Sequence, residues 1–564
     1  MTVTALGGRK QNRSLGYATS TVKGDELART NTISPVNALQ GKVAGLQIST
    51  SGSSGLTSSP VITLRGAKSL TKNNSPIFVI DGIVMENSVM GLDADGSNSG
   101  IAYGNQLKNL NSNDYESVTV LKGAAATALY GSRGANGAIV ITTKGGKARK
   151  GVGIEVNYSH EFSQTYAAPM KLQNLYGMGL PTNGYEGDII PNVGSTVSDG
   201  VYSAQSFGPR MNAGYQMSQE YKLGKYNNPV EPLVSYANNW KSIFQTGQQD
   251  NVSVALTGGS DKATYRVSYG YTNMKGALPN NEFKRHSVNV RTNGKINDVF
   301  SVDFSMQYSN SNTLNPNIFS ATDGRSYAAI VSQSINRNTD LKWYRDNYID
   351  YSTWMRLPDG TSSALKTIQS ALNTFVDNNT NHNEQTIIAS VGLTAQFTDW
   401  LDANARLTYN DYSYFDETKN YGSGYGRGGG EAGKAVYSPG GSYSIGGGKS
   451  GEYNFLGQLH SNNLFLDDNL ELDVRLFYEL YGNARGSSWY KSTRDGLIVP
   501  GLWNFGNSAK PLEVSNYETN LNYRNRMTYG VGGAVNLSWK DQINLEVTAR
   551  NDWLSSLLYP TWIP

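Results

Sequence analysis

Past Gly153 apolar and polar residues alternate one by one, the period of a strand with two unlike faces. Phe300, Val302, Phe304, Met306 and Tyr308 alternate with Ser301, Asp303, Ser305 and Gln307. Ala263, Tyr265, Val267, Tyr269 and Tyr271 alternate with Thr264, Arg266, Ser268, Gly270 and Thr272, and Leu401, Ala403, Ala405, Leu407 and Tyr409 do the same. Further segments of this kind lie near 152–163, 250–258, 284–293, 385–398, 452–463, 470–482, 526–540 and 542–552, giving eleven predicted strands. Most reach the ~9–11 residues that a tilted strand needs to cross a bilayer.

The connections sort these strands into an architecture. A long polar stretch to about 249 precedes the tight Gly258-Gly259-Ser260-Asp261 turn, and a moderate link at 275–283 precedes the short Gly294–Asp298 turn. Long links at 311–384, 414–451 and 483–525 then precede short ones at Thr398-Asp399, 464–469 and Lys540-Asp541. In an antiparallel meander every second connection emerges at the same end, so one end bears large loops and the other tight turns. That asymmetry belongs to a transmembrane β-barrel; a soluble sandwich gives the alternation without one-sided loops. Tyr158, Phe162, Tyr308, Trp400, Tyr409 and Trp539 would contribute to its interfacial aromatic girdles.

Residues 1–147 read differently, as a compact α+β domain. Short β-type runs occur at Val61–Leu64 and Ile77–Ile80, and helical stretches are suggested near Val36–Leu39 and Ala124–Tyr130. The glycines Gly41, Gly45, Gly66, Gly82, Gly131, Gly134 and Gly137 supply turns and close backbone approach, and Asp81-Gly82 fits a hairpin turn. Arg65 and Arg133 are candidates to pair with carboxylates on the barrel wall or within the plug, such as Asp81 and Glu116.

Composition sharpens this picture and removes rivals. The 564 residues include 62 Gly, 36 Tyr and no Cys, with 38% hydrophobic and 16% charged residues and a net charge of +3. Without cysteine there are no disulfides, thiolate metal sites or Cys nucleophiles. The charge balance gives no electrostatic footprint for nucleic acid. A mean hydropathy of −0.45 alone would suggest a soluble chain. In a large barrel, however, only alternate strand residues meet lipid, so a negative mean is what lumen, loops and a filling domain produce.

The first domain bears an ordered motif set: Leu39–Ile48 (LQGKVAGLQI), Ile62–Gly66 (ITLRG), Pro76–Gly82 (PIFVIDG), Leu110–Gly123 (LNSNDYESVTVLKG) and Tyr130–Gly137 (YGSRGANG), continuing to Lys144. This set resembles the plug domain of TonB-dependent outer-membrane receptors, in the SusC/RagA-like branch of the Bacteroidetes. Fainter echoes follow at Ser206–Arg210, Phe244–Gly247, Gly496–Leu502 and Arg550–Asp552. The resemblance implies an α+β plug (1–147) inside a large antiparallel transmembrane β-barrel whose N-terminal part is 148–564. About 22 strands are expected in the full architecture against about 11 here. The chain opens without an apolar signal segment and shows no clear TonB box, so its start reads as a mature or trimmed product, while the aromatic, Pro-containing finish reads as an interruption.

By the same resemblance, the protein is an active importer of oligosaccharides in the bacterial outer membrane, at the cell surface. A SusD-like surface lipoprotein would be its partner and lid, the inner-membrane TonB complex its energy source, and a dimer of the SusC/SusD pair its assembly. Peptide import of the RagA type, or siderophore or cobalamin uptake, are the alternatives. A passive pore or adhesin would not need the first 147 residues.

No enzymatic constellation is present. His160, His286, His382 and His460 match no metal spacing, three of them sit in strand patterns, and no nucleophile–base set is evident. Asp93-Ala94-Asp95-Gly96-Ser97-Asn98 resembles an oxygen-ligand calcium loop but lacks the downstream acidic residue of an EF-hand, so a plain polar plug loop is favoured and no cofactor is expected, with calcium at Asp93 and Asp95 only the weaker alternative. The Ile445–Ser450 run (IGGGKS) resembles the end of a P-loop, but Tyr443 stands where the first Gly is required and no helix follows, so it and Gly422–Gly430 are assigned to loops. Substrate-binding candidates are aromatic residues of the long loops and the plug: Tyr103, Trp343, Tyr344, Tyr425, Trp489 and Trp503.

Overall fold

In a computed structural model the chain forms a mixed five-stranded sheet whose domain packs against one face of a long antiparallel wall. The structure describes residues 2–3, 9–10, 19–30, 37–49, 61–66, 74–85, 106–122, 126, 130–166, 172–177, 196–197, 208–214, 216–218, 230–316, 337–338, 340–346, 376–377, 379–421, 441–465, 469–499, 501–513, 517–522, 527–540 and 542–555.

The plug strands are β1 (Thr19–Lys23), β2 (Leu46–Ser49), β3 (Val61–Leu64), β4 (Ile77–Ile80), β5 (Ile83–Met85), β6 (Tyr115–Leu121) and β7 (Ala138–Thr143). The sheet runs β1-β6-β7-β4-β5, with β4 and β7 parallel, while β2 and β3 pair separately. Central β4 and β7 are apolar on both faces, as strands covered on both sides must be. Phe78, Ile80, Ile139 and Ile141 pack on one side with Leu27, Ile62, Leu64 and Tyr115, and Val79, Leu121, Tyr130 and Val140 on the other. Val36–Leu39 becomes a 3-10 turn at Asn37–Leu39, and most of Ala124–Tyr130 lies outside the described residues. The Asp81-Gly82 hairpin takes φ of 48° and 89°, the left-handed pair of a type I′ turn, which suits the twist of β4 and β5.

Eleven wall strands follow in sequence order: β8 (Arg149–Ser163), β9 (Gly247–Gly259), β10 (Ala263–Lys275), β11 (Glu282–Lys295), β12 (Phe300–Leu314), β13 (Asn379–Thr398), β14 (Leu401–Asn420), β15 (Ser442–Phe465), β16 (Leu470–Ser492), β17 (Met527–Trp539) and β18 (Ile543–Leu554). A further strand, Tyr517–Asn522, pairs with the far end of β16. The connections alternate as expected: 164–246, 276–281, 315–378, 421–441 and 493–526 at one end, against 260–262, 296–299, 399–400, 466–469 and 540–542 at the other.

Register makes the two faces continuous. One row reads Val156, Val254, Tyr269, Val288, Tyr308, Ile387 across β8–β13, all on the outward face. The next row reads Asn157, Ser253, Gly270, Ser287, Ser309, Thr386, Tyr412, all inward. On β17 the outward belt is bounded by Tyr529 and Trp539. Ten residues at about 3.4 Å span about 34 Å, which a tilt of ~35–45° reduces to roughly the 25 Å of an outer-membrane apolar band. Trp400 and Phe465 mark the same edge as Trp539 beside the short turns.

Four strands exceed the expected lengths. Strands β13–β16 have 20, 20, 24 and 23 residues, and the excess lies at the long-connection end. The Ile445–Ser450 run is therefore strand rather than loop, correcting the sequence reading, and Gly422–Gly430 lies outside the described residues. Glycine makes the extension possible, because bulky rings of adjacent strands lie across it. A Cβ on Gly448 would stand 2.5 Å from Tyr414, and one on Gly482 2.4 Å from Tyr453.

The outward belt has a direct test. Val535 lies outward midway between Tyr529 and Trp539, so Val535→Arg is expected to cost about 2–4 kcal/mol in bilayer refolding titrations. Asn536→Arg would face the lumen beside Asp473 and is expected to cost little.

Candidate functional site: the plug–wall interface

The inward face is rich in charge, and most of that charge is closed off by the plug. Burying an unpaired charge is prohibitive, so each of these side chains requires a partner. Asp114 ends the 3-10 turn that precedes β6 and accepts hydrogen bonds from Arg266 Nη1 at 2.5 Å and Ser268 Oγ at 2.6 Å. Arg285 donates to the backbone oxygens of Lys108 and Leu110 at 2.6 and 2.7 Å. Lys108 itself, almost fully buried, meets Glu384 at 2.6 Å. Asn109 donates to Thr386 and accepts from Ser311, so the plug segment 106–114 is fixed to five neighbouring strands, β10–β14, the last through Asn410 and Gln106 at 3.5 Å.

Two further anchors use plug turns. Asp81, placed by the type I′ turn, accepts from Thr143 N and Oγ1 and from Arg291 Nη1 at 3.1 Å. Arg406 reaches Asp303 at 3.1 Å and the Asp81 carbonyl at 3.4 Å. At the other anchor, Arg133 meets Glu479 at 2.8 Å and lies 4.1 Å over the Tyr481 ring. Arg550 holds the second Glu479 oxygen at 2.5 Å and Asp552 at 2.8 Å. Gly131 is needed here: its φ is +62°, and a Cβ would stand 2.2 Å from the Asp552 carboxylate. Gly137, with φ +100°, closes the same turn against Leu64.

Of the pairings expected from sequence, a wall carboxylate for Arg133 is present, while the named carboxylates Asp81 and Glu116 partner neither arginine. Arg133 pairs with Glu479 on the wall, and Asp81 with Arg291, because the turns point these groups away from the plug sheet. Glu116 has no ion pair among the described residues, and Arg65 is exposed at φ 60° with none either. Gly41, Gly45 and Gly66 adopt left-handed φ of 76°, 77° and 86° in exposed turns, while Tyr130 is buried and Asn136 ends the 3-10 turn Gly131–Asn136. At the plug–wall junction Lys144 reaches both Asp25 at 3.0 Å and Glu155 at 3.4 Å, and its hydrogen bond and charge hold the Asp25 carboxyl below its usual range.

A buried chain links the plug to the wall above it. Lys108, Glu384 and His382 are followed by Asp416, with His382 Nδ1 2.5 Å from Asp416 and its Nε2 3.3 Å from Glu384. Tyr412 donates to Glu384 at 2.7 Å. His382, expected within the 311–384 connection, lies on β13 and is fully buried. Tyr412, Tyr414 and Asp416 escaped notice although the alternation Leu407, Tyr409 carries on through the polar-seeming run up to Asn420.

The aromatic loop candidates are scattered. Tyr103 and Tyr425 lie outside the described residues. Trp343 and Tyr344 fall in α1 (Leu341–Asp346), where Asp340 accepts from the Trp343 backbone N–H at 3.1 Å. Arg337 nearby ties together Gln173, Asn174, Ala237 and Asn239, and burial lowers its pKa. Trp489 faces outward, 6.3 Å from Phe415, and Trp503 packs on Tyr421 at 4.8 Å and Tyr443 at 6.5 Å. Asp93 and Asp95 are outside the described residues, and among those described no group of His, Asp and Glu could hold a metal ion.

A β-wall whose inward charges are neutralised by an α+β domain is the architecture of a plugged receptor barrel. Residues 11–138 match the TonB-dependent Receptor Plug Domain family. The chain is 32% identical to the TonB-dependent receptor SusC of Bacteroides thetaiotaomicron over 290 residues, 51% of this chain and 24% of that protein. It is 28% identical to TonB-dependent receptor P26 of Formosa agariphila over 54% of this chain and 26% of that one. In fold it is similar to the RagAB peptide importer in its open-open state, with a TM-score of 0.69 and 20% identity over 98% of this chain and 56% of that one. The chain is thus similar to TonB-dependent receptors of the SusC kind in sequence and to RagAB in fold; its matches cover about a quarter of the length of those curated relatives and just over half of the solved chains.

The central anchor gives a test. Glu479→Ala leaves Arg133 without its counter-ion and Arg550 with Asp552 alone, and loss of one buried partner costs about 3–5 kcal/mol. Hydrogen exchange at 130–143 is expected to accelerate while the wall strands stay protected.

Proposed function

We propose that this chain is the plug and part of the wall of an energised importer in the bacterial outer membrane, its long-connection end at the cell surface. The observation that supports this best is the charge-paired plug. Breaking one buried pair costs several kcal/mol, and at least four anchors act together: Asp114–Arg266, Lys108–Glu384, Asp81–Arg291 and Arg133–Glu479–Arg550. Thermal opening would be too rare for passive flow, so an external pull by the TonB complex on the plug fits the design.

The imported cargo in this reading is an oligosaccharide, delivered by a SusD-like surface lipoprotein, with the pair able to dimerise. The sequence likeness to SusC favours that branch, and an upper lumen lined by hydroxyl, amide and tyrosine groups suits a polar oligomer. Peptide import is the second reading, motivated by the fold likeness to RagAB. Detergent-purified protein with its partner, titrated against glycans, peptides and ferric chelates, separates the readings. Glycan binding is expected; tight chelate or peptide binding with no glycan binding would overturn the choice.

A further inference from the structure

Above the plug, the inward face of β14–β16 carries two tyrosines laid on glycine. Tyr414 stands opposite Gly448, and Asp416 opposite Gly446, which in turn faces Tyr490. These positions share the register parity of Tyr412 and Thr386, which point toward the plug, so they face the lumen. A Cβ on Gly448 would meet Tyr414 Cε1 at 2.5 Å and Cζ at 2.8 Å, and one on Gly446 would meet Tyr490 Cδ2 at 3.5 Å. Both rings thus lie along the side-chain-free stretch of β15 and turn their other faces to the lumen. Tyr490 is 46% exposed and Tyr414 half-buried, and neither hydroxyl has a hydrogen-bond partner among the described residues.

Beside them, Asp416 uses Oδ1 for His382, and Oδ2 has no partner among the described residues. The inward positions of β14 from Asn410 to Asn420 are Asn, Tyr, Tyr, Asp, Thr and Asn; those of β15 from Ser442 to Glu452 are Ser, Ser, Gly, Gly, Ser and Glu. This patch has apolar faces, hydroxyls and a carboxylate acceptor, and among these described inward positions there is no cation to receive an anion.

We propose that Tyr414, Tyr490 and Asp416 form a stacking subsite for neutral sugar rings of the imported oligosaccharide, which excludes uronate-bearing or otherwise anionic oligomers. The inference rests on the oligosaccharide reading above and adds the site and the charge class of its ligand. Ring faces stack C–H surfaces on Tyr414 and Tyr490, while a sugar hydroxyl donates to Asp416 Oδ2. The neighbouring His382–Glu384–Lys108 chain holds Asp416 in place from the plug side.

The test uses the full-length protein with its native partner. Calorimetry is run with short neutral oligosaccharides of glucose, mannose, galactose, xylose and fructose, with their uronate counterparts, and with oligopeptides. Tyr490→Ala and Tyr414→Ala are each expected to weaken neutral-glycan binding about tenfold, the equivalent of 1.4 kcal/mol. Tyr490→Phe, which keeps the ring, is expected to bind like the wild type. Asp416→Asn is expected to admit uronate oligomers that the wild type rejects. Tyr490 is exposed, so its alanine variant should fold, and unchanged heat-modifiable migration on gels confirms this. Neutral glycans binding the alanine variants as tightly as the wild type would overturn the subsite and leave oligosaccharide import standing. Wild-type binding of peptides alone would overturn both.

Discussion

The whole structure depends on one constraint: a strand alternating every residue must satisfy two solvents at once. The outward rows can be apolar, but the inward rows meet water, plug or ligand and therefore collect charge. Arg266, Arg285, Arg291, Arg406 and Arg550 all project inward from strands, and all find carboxylates or backbone oxygens. The plug's own geometry follows from this demand. Asp81 can serve as counter-ion to Arg291 because a type I′ turn accepts Asp at its first left-handed position. Gly131 is small because the Asp552 carboxylate occupies the space that a side chain would fill.

The same alternation explains why the wall continues beyond the membrane. Once the outward face of β13–β16 leaves the apolar band it turns to residues such as Asn383, Ser413 and Lys449, so the sheet can rise into water. Long flat strands invite slippage and edge pairing. Here aromatic rings laid over glycine fix adjacent strands in register, as Tyr414 on Gly448, Tyr453 on Gly482 and Phe477 near Gly532 show. The elevated wall is what brings tyrosines above the plug at all.

Much of this was legible in the sequence, for a physical reason. Period-2 patterning is local, so the eleven strands and their alternating connections could be read directly, and the Asp81-Gly82 turn is encoded in its own dipeptide. Pairing partners could not be read, since Arg133 and Glu479 are 346 residues apart and meet only through closure of the sheet onto the plug. The upper strands were missed for a different reason. In β15, Ser442–Ser450 has no apolar face to announce a strand, because glycine stands where neighbouring rings lie. His382 looked like a loop residue because its surroundings are Asn and Thr, which become strand only when β14 pairs with them.

An interface built from ion pairs also answers why plug and wall are not joined by an apolar core. Replacing a buried ion pair with well-packed apolar side chains is often neutral or stabilising, so firmness alone would not select charge. What charge provides is a dependence on dryness. While Lys108–Glu384 and Asp114–Arg266 stay almost fully buried, their attraction acts in a low dielectric and is strong. Once the plug is displaced and water enters, each partner regains its hydration and the attraction falls toward its value in water. An apolar surface would behave in the opposite way, losing most when wetted and collapsing onto any other apolar surface nearby. A charge-paired plug would therefore be firm when seated, harmless when displaced, and able to reseat in one register, because each paired plug charge has its opposite at a fixed place on the wall.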